Sequence, residues 1–228
     1  MYQEHVRLRT LDMGSDDRIT AFSILSLCQD VAGIHGEMLN VGFEKLQARN
    51  IIWVLLRSKF EVVKEPKLFE EVIIETWPHT PSKIDFDRDY VIKNIDGEVL
   101  VKATSKWCLV DSIERTILRA NKVNMEIEEY TPLYDSFPKI KYDKTLFTYV
   151  NKFKVLNNHL DHNWNMNNAY YAEMVYDVLN MHIKEFEINY IKEAHLDDEI
   201  DIYTFFDEEK YIMGMVKEEV CFICKVKL

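Results

Sequence analysis

Lys64-Glu-Pro-Lys-Leu-Phe-Glu-Glu-Val-Ile-Ile-Glu-Thr76 and Lys192-Glu-Ala-His-Leu-Asp-Asp-Glu-Ile-Asp-Ile-Tyr-Thr204 carry the same lysine, glutamate, leucine, glutamate, isoleucine and threonine in register. Asp replaces Glu at Asp198 and Ile replaces Val at Ile200. A repeat of this kind constrains architecture more firmly than local propensity does. Two further blocks agree in the same order. Val6–Val31 lies without gaps over Phe153–Val178, matching Asp30 with Asp177 and, just beyond, His35 with His182. Tyr90–Trp107 lies over Tyr211–Leu228, sharing the leading Tyr, a Glu-Val pair and a late Lys. Each half is therefore expected to run strand, helix, then several strands, with 19 extra residues after the first helix.

The first helix is expected after Thr20, a good N-cap, with Ile24, Leu27, Cys28, Val31 and Ile34 on one apolar face. Its counterpart begins after Asn167 or Asn168 and aligns Ala172, Val175, Tyr176, Leu179 and Ile183. His35 and His182 then fall on the two helices and read as packing residues. Glu70–Trp77, Arg88–Asn94 and Val99–Val110 read as strands, the last two flanking an Asp-Gly turn of the type I′ kind. Glu199–Phe206 and Tyr211–Leu228, the latter interrupted by a Lys-Glu-Glu turn, complete the second half. One long helix beside four or five antiparallel strands, twice over, is an α+β arrangement. The expected boundaries are 1–120, a linker over 121–144 containing Pro132 and Pro138, and 145–228.

Composition excludes several functions. The 228 residues carry 28 Lys and Arg against 39 Asp and Glu, a formal charge of -11, so no long-range field gathers nucleic acid. Only six glycines occur, none in a phosphate-loop, dinucleotide or nucleophile-elbow pattern. Cys28, Cys108, Cys221 and Cys224 are scattered. Cys221 and Cys224 form C-x-x-C inside an apolar strand, where residues three apart point to opposite faces, so a core role is expected rather than a redox one. No apolar run is long enough to span a bilayer, and Met1–Arg9 lacks the apolar block of a signal peptide, which places the expected protein in the cytoplasm.

The stretch His159-Leu-Asp161-His-Asn163-Trp-Asn165-Met-Asn167-Asn168-Ala-Tyr-Tyr171, followed by Ile191-Lys-Glu193-Ala194, resembles the acyl-ACP thioesterase family. That family carries D-x-N-x-H-x-N-N-x-x-Y at the start of its second helix and an acidic residue downstream. Lys106-Trp-Cys-Leu-Val-Asp111-Ser-Ile-Glu-Arg115 is similar to its W-x-x-x-D…R. The resemblance covers nearly the whole chain and implies two tandem hotdog domains, each a long helix wrapped by an antiparallel sheet. It also implies acyl binding in the first domain, with Trp53 and Met38 as candidates to line the tunnel, and chemistry in the second. Asp161, Asn163 and Glu193 match catalytic positions of the family. Asn165 stands where the motif has histidine, and Ala194 where plant members have cysteine, which removes a thiol nucleophile and leaves hydrolysis by water.

Thioester hydrolysis needs a nucleophile and stabilisation of the carbonyl oxygen, because the thiolate leaves readily. Glu193 is the candidate base for water. Asn163 is the candidate donor to the carbonyl or water, and Asp161 the residue that orients neighbouring amides. Asn165 donates hydrogen bonds but cannot shuttle a proton, so activity is expected to be weak unless His159 or His162 substitutes. Two structural readings compete: Asn-rich loops ahead of helices often only cap and turn, and Glu193 has a repeat twin in Glu65, so a Lys-Glu corner can persist for shape alone. No cofactor or metal is expected. The expected partner is an acyl carrier protein bearing a fatty acyl thioester. It is itself acidic and would meet Arg115, Arg119 and Lys122 or Lys139, Lys141 and Lys144. An acyl-CoA thioesterase and a non-catalytic acyl-binding protein are the alternatives. A monomer or a homodimer fits two fused halves.

Overall fold

A computed structural model describes residues 1–228. The strands β1 (Tyr2–Arg7), β2 (Ile51–Val62), β3 (Glu71–Pro78), β4 (Asp85–Asn94) and β5 (Val99–Asp111) belong to the first half. The second half supplies β6 (Thr148–Lys154), β7 (Glu185–Tyr190), β8 (Glu199–Phe206), β9 (Lys210–Val216) and β10 (Glu219–Lys227). All ten form one antiparallel sheet in the order β1-β3-β4-β5-β2-β7-β10-β9-β8-β6. Helices α1 (Ala21–Met38) and α3 (Ala169–Leu179) lie side by side against it, touching through Phe22 and Tyr170 at 4.9 Å, while the short α2 (Phe43–Gln47) belongs to the extra segment. This is the tandem hotdog architecture.

The halves join where β2 pairs with β7, and Lys59 opposite Glu187 marks the pseudo-twofold. Phe60 and Phe186, both fully buried, stack at 5.5 Å across the junction. The repeat holds in backbone detail. Val63 and Lys64 both donate to the carbonyl of Leu100, and Ile191 and Lys192 both donate to that of Cys221, at 2.8 and 3.1 Å in each case. Leu100 and Cys221 are the extra residues of two equivalent β-bulges. Such a bulge frees its carbonyl from the ladder, and here the freed carbonyl pins the Lys-Glu corner.

Four local expectations change. The Asp96-Gly97 hairpin has only Gly97 left-handed, a three-residue connection with its bulge, whereas Lys217 and Glu218, at φ 50° and 67°, build the two-residue primed turn. That turn is one residue shorter, so Tyr90 is equivalent to Ile212 and not to Tyr211, although the β5 and β10 alignment stands. Helix α3 stops at Asn180 (φ 48°), which leaves His182 and Ile183 beyond it. Finally, the bulge at Cys221 resets the strand alternation, so Cys221 and Cys224 both enter the main core, as free thiols whose pKa burial pushes up.

Thr20 caps α1 by accepting from the Ser23 amide at 3.1 Å, and Asn167 does the same for Ala169 at 3.0 Å ahead of α3. Between the halves, the chain crosses the sheet on the side away from the helices. Tyr134 lies under the Lys59 ammonium at 4.5 Å, Phe137 packs on Arg57, and Ile140 and Phe147 cover Met213, Val220 and Ile223. No helix is long and apolar enough to cross a membrane.

Candidate active site

Ahead of α3, a bridge between Leu160 and Met166 closes a tight loop. The Asp161 amide donates to Asn165 O at 2.8 Å, the Trp164 amide donates to Asp161 O at 3.1 Å, and Trp164 is left-handed at φ 64°. Asp161 Oδ1 accepts from the amides of Asn163 (2.8 Å) and Asn165 (3.1 Å), so this carboxylate organises the turn that presents both asparagines. Ahead of α1 the same loop occurs, bridged from Met13 to Ile19, with Gly14 donating to Arg18 O at 2.8 Å, Asp17 to Gly14 O at 3.1 Å, and Asp17 left-handed at 59°. The backbone is thus a property of the duplicated fold. What distinguishes the second copy is Asp161, Asn163 and Asn165 in the places of Gly14, Asp16 and Arg18.

Glu193 arrives from the corner after β7. Met166 donates to Ala194 O at 2.8 Å and Asn165 bridges His195, so the corner and the loop are stitched together by backbone. Asp161, Asn163, Asn165 and Glu193 line one cavity of about 110 Å³ with Tyr171 and Tyr190. Ile52 to Leu56 of β2 also line it, and a bulge interrupts that strand between Leu55 and Arg57. Burial pushes the Tyr171 and Tyr190 hydroxyls up, so they stay protonated hydrogen-bond donors.

The Glu193 carboxylate forms an ion pair with Arg115, a residue of the first half. The W-x-x-x-D…R segment accounts for this: Asp111 Oδ1 accepts from the amides of Ile113 and Glu114 at 2.9 and 3.0 Å, and Arg115 donates to Asp111 O at 2.9 Å with φ 52°. Arg115 therefore meets Glu193 at the candidate site, a contact that sequence reasoning missed by grouping it with the surface cations. Glu65, the twin of Glu193, also reaches across the junction, to His182 Nε2 at 2.5 Å. The corner itself is common to both halves, and the partner of its glutamate is not.

Neither neighbouring histidine fills the place of the missing imidazole. His159 packs on Tyr170 at 4.8 Å and accepts from the Leu156 amide, and His162 packs edge-on to Phe43 at 4.0 Å; neither lines the cavity. Trp53 lies in the β2 wall, whereas Met38 is 64% exposed at the end of α1 and does not line this cavity. A smaller cavity of about 10 Å³ lies under α1 among Leu25, Cys28, Tyr90 and Trp107, and Leu55 lines both spaces.

The chain matches the family model of the acyl-ACP thioesterase N-terminal domain over residues 1–130 and that of the C-terminal domain over 142–225. Among curated relatives, the oleoyl-acyl carrier protein thioesterase 2 of Arabidopsis thaliana is 27% identical over 89% of this chain, and that of Coriandrum sativum is likewise 27% identical. The chain spans about 62% of the length of each. Among solved structures, an acyl-ACP thioesterase from Bacteroides thetaiotaomicron superposes with a TM-score of 0.89 at 20% identity, covering 99% of this chain and 96% of that one. The 12:0-ACP thioesterase from Umbellularia californica gives 0.88 at 18%, covering 99% and 96%. These two establish the fold. With both domain models matched in order and the motif loop facing the Lys-Glu corner, the chain belongs to the acyl-ACP thioesterase family.

Proposed function

We propose that this chain hydrolyses fatty acyl thioesters of an acyl carrier protein, in fatty acid synthesis, with water as nucleophile. The observation that carries the reading is the convergence of Asp161, Asn163, Asn165 and Glu193 on one cavity, whose wall residue Leu55 also lines the small cavity under α1. Glu193 takes a proton from water as its oxygen attacks the thioester carbonyl. Amide donors of Asn163 and Asn165 hold the oxyanion, and on collapse the C–S bond breaks, the proton returns to the sulfur, and free acid and carrier thiol depart. Arg115 holds the Glu193 carboxylate in one orientation.

The choice of carrier is supported by charge placement. Lys45, Arg49, Lys83, Arg119 and Lys122 form no ion pair, in a chain of net charge -11. Contacts to backbone carbonyls gather them: the Ala120 amide donates to Lys83 O at 3.0 Å and the Arg49 guanidinium to Lys122 O at 2.6 Å. They lie beside the start of β2, whose Ile52 lines the cavity. An acidic carrier fits that group.

A second reading, acyl binding without turnover, is favoured by Asn165 and by the pairing of Glu193 with Arg115. Purified protein assayed on acyl-ACP and matching acyl-CoA separates the two readings. Hydrolysis that favours the carrier protein and falls about 10²-fold or more in Glu193→Gln supports the first. No release above the blank, with tight acyl binding, supports the second. Asn165→His is expected to raise turnover, because it restores a group able to move a proton, and an unchanged rate would show that no imidazole is needed.

A further inference from the structure

Trp164 stands at the tip of the site loop between two residues that line the cavity. Its side chain is 75% exposed and packs against no aromatic ring, and its backbone is left-handed. The loop does not require this side chain. Asp17 occupies the same position of the first loop, with the same two backbone hydrogen bonds and nearly the same φ. Short polar residues take left-handed conformations readily, and a large aromatic does so at a steric cost. Trp164 therefore accepts strain and forgoes burial between two residues that line the cavity of the proposed active site, and its indole offers a wide apolar face with one hydrogen-bond donor.

What lies outside that cavity follows from the chemistry, and this step rests on the thioesterase reading. With the acyl chain inside and the carbonyl beside Asn163 and Glu193, the group outside is the one bonded to sulfur. For a carrier protein or for coenzyme A that group is the same amide-rich pantetheine arm. We propose that Trp164 forms the lip on which this arm packs, so that the second loop recognises the arm while its neighbours act on the carbonyl.

The test uses non-hydrolysable thioether analogues in which a methylene separates the carbonyl from the sulfur, so its outcome is independent of turnover. One probe carries the full pantetheine arm and one carries only N-acetylcysteamine. Wild type is expected to bind the long probe about tenfold more tightly than the short one. Trp164→Asn, which suits the left-handed backbone and is expected to fold at least as stably, should bind the two alike, and Trp164→Phe should keep most of the preference. A preference unchanged in Trp164→Asn, or absent from wild type, overturns the proposal. The same alkyl chain on coenzyme A and on an acyl carrier protein separates the sources: equal weakening on both supports an arm contact, and weakening on the carrier protein alone shows that Trp164 touches protein. Absence of hydrolysis together with a retained length preference would sink the enzymatic reading and keep the lip.

Discussion

Gly214 and Phe222 offer a direct test of how the second half departs from the first. They face each other across β9 and β10, where the first half has Ile92 opposite Val101. The pair exchanges a medium–medium contact for a small–large one, and the enlarged ring packs edge-on to Tyr171 at 5.2 Å, a residue that lines the cavity. In Gly214→Ala, the new Cβ would overlap Phe222 Cε1, stand 2.6 Å from Cδ1 and 3.0 Å from Ile200 Cγ2. Phe222 and Ile200 are fully buried, so neither can yield to solvent. Overpacking of this kind costs about 1–3 kcal/mol, and the overlap with a ring places it at the upper end. The alanine regains roughly 0.5–1 kcal/mol by restricting the unfolded chain. The net loss of about 2 kcal/mol corresponds to a fall of roughly 4–8 °C in Tm for a chain of this size. Phe222→Val alone should cost about 2 kcal/mol through the space it leaves. Gly214→Ile with Phe222→Val restores the pairing of the first half and should cost at least 1 kcal/mol less than the sum of the single variants. Urea unfolding of wild type, Gly214→Ile, Phe222→Val and the double variant measures this coupling, with Gly214→Ala unfolded beside them. A Gly214→Ala protein within 0.5 kcal/mol of wild type, or a strictly additive double variant, would refute the packing account.

Two further outcomes follow from polar contacts. Arg115→Ala is expected to lower kcat/KM about 10²-fold by freeing the Glu193 carboxylate to turn, with Arg115→Lys intermediate, and steady-state rates within twofold of wild type would remove Arg115 from the site. Burial, aided by the Arg88 guanidinium and the N-terminal ammonium, holds the His35 pKa at about 4 against an ordinary 6.5. The folded state therefore binds this proton less readily than the unfolded chain does. Stability is full above about 6.5 and is lost as pH falls toward 4. Gln at 35 can still accept from Arg88 without titrating, so His35→Gln should flatten that slope in pH-dependent unfolding, and equal slopes would count against the assignment.

The sequence makes legible those parts of the molecule that its own repeat records. The Lys-Glu blocks, the Thr20 cap, the ungapped first block and the motif loop all lie where side-chain pattern and backbone agree. Features carried by the backbone are silent: nothing in Val99-Leu-Val or Val220-Cys-Phe announces a bulge, and one bulge is enough to bring Cys221 and Cys224 to the same face. Asp96-Gly97 has the residues of a primed turn but an extra residue to accommodate, whereas Lys217-Glu218 has the shorter loop and adopts that turn with no glycine. At the candidate site, the motif singles out Asp161, Asn163, Asn165 and Glu193, and the structure brings the four to one cavity. Arg115 was not legible, because its partner is 78 residues away and only the junction of the halves brings them together.

The paired loops at Met13–Ile19 and Leu160–Met166 have a consequence for how such a protein can diversify. A homodimer of single units encodes both of its loops with one stretch of gene, so any substitution that improves one mouth alters the other identically. Fusion releases that constraint. One copy here carries glycine, aspartate and arginine and the other aspartate and two asparagines, on a scaffold whose backbone hydrogen bonds match.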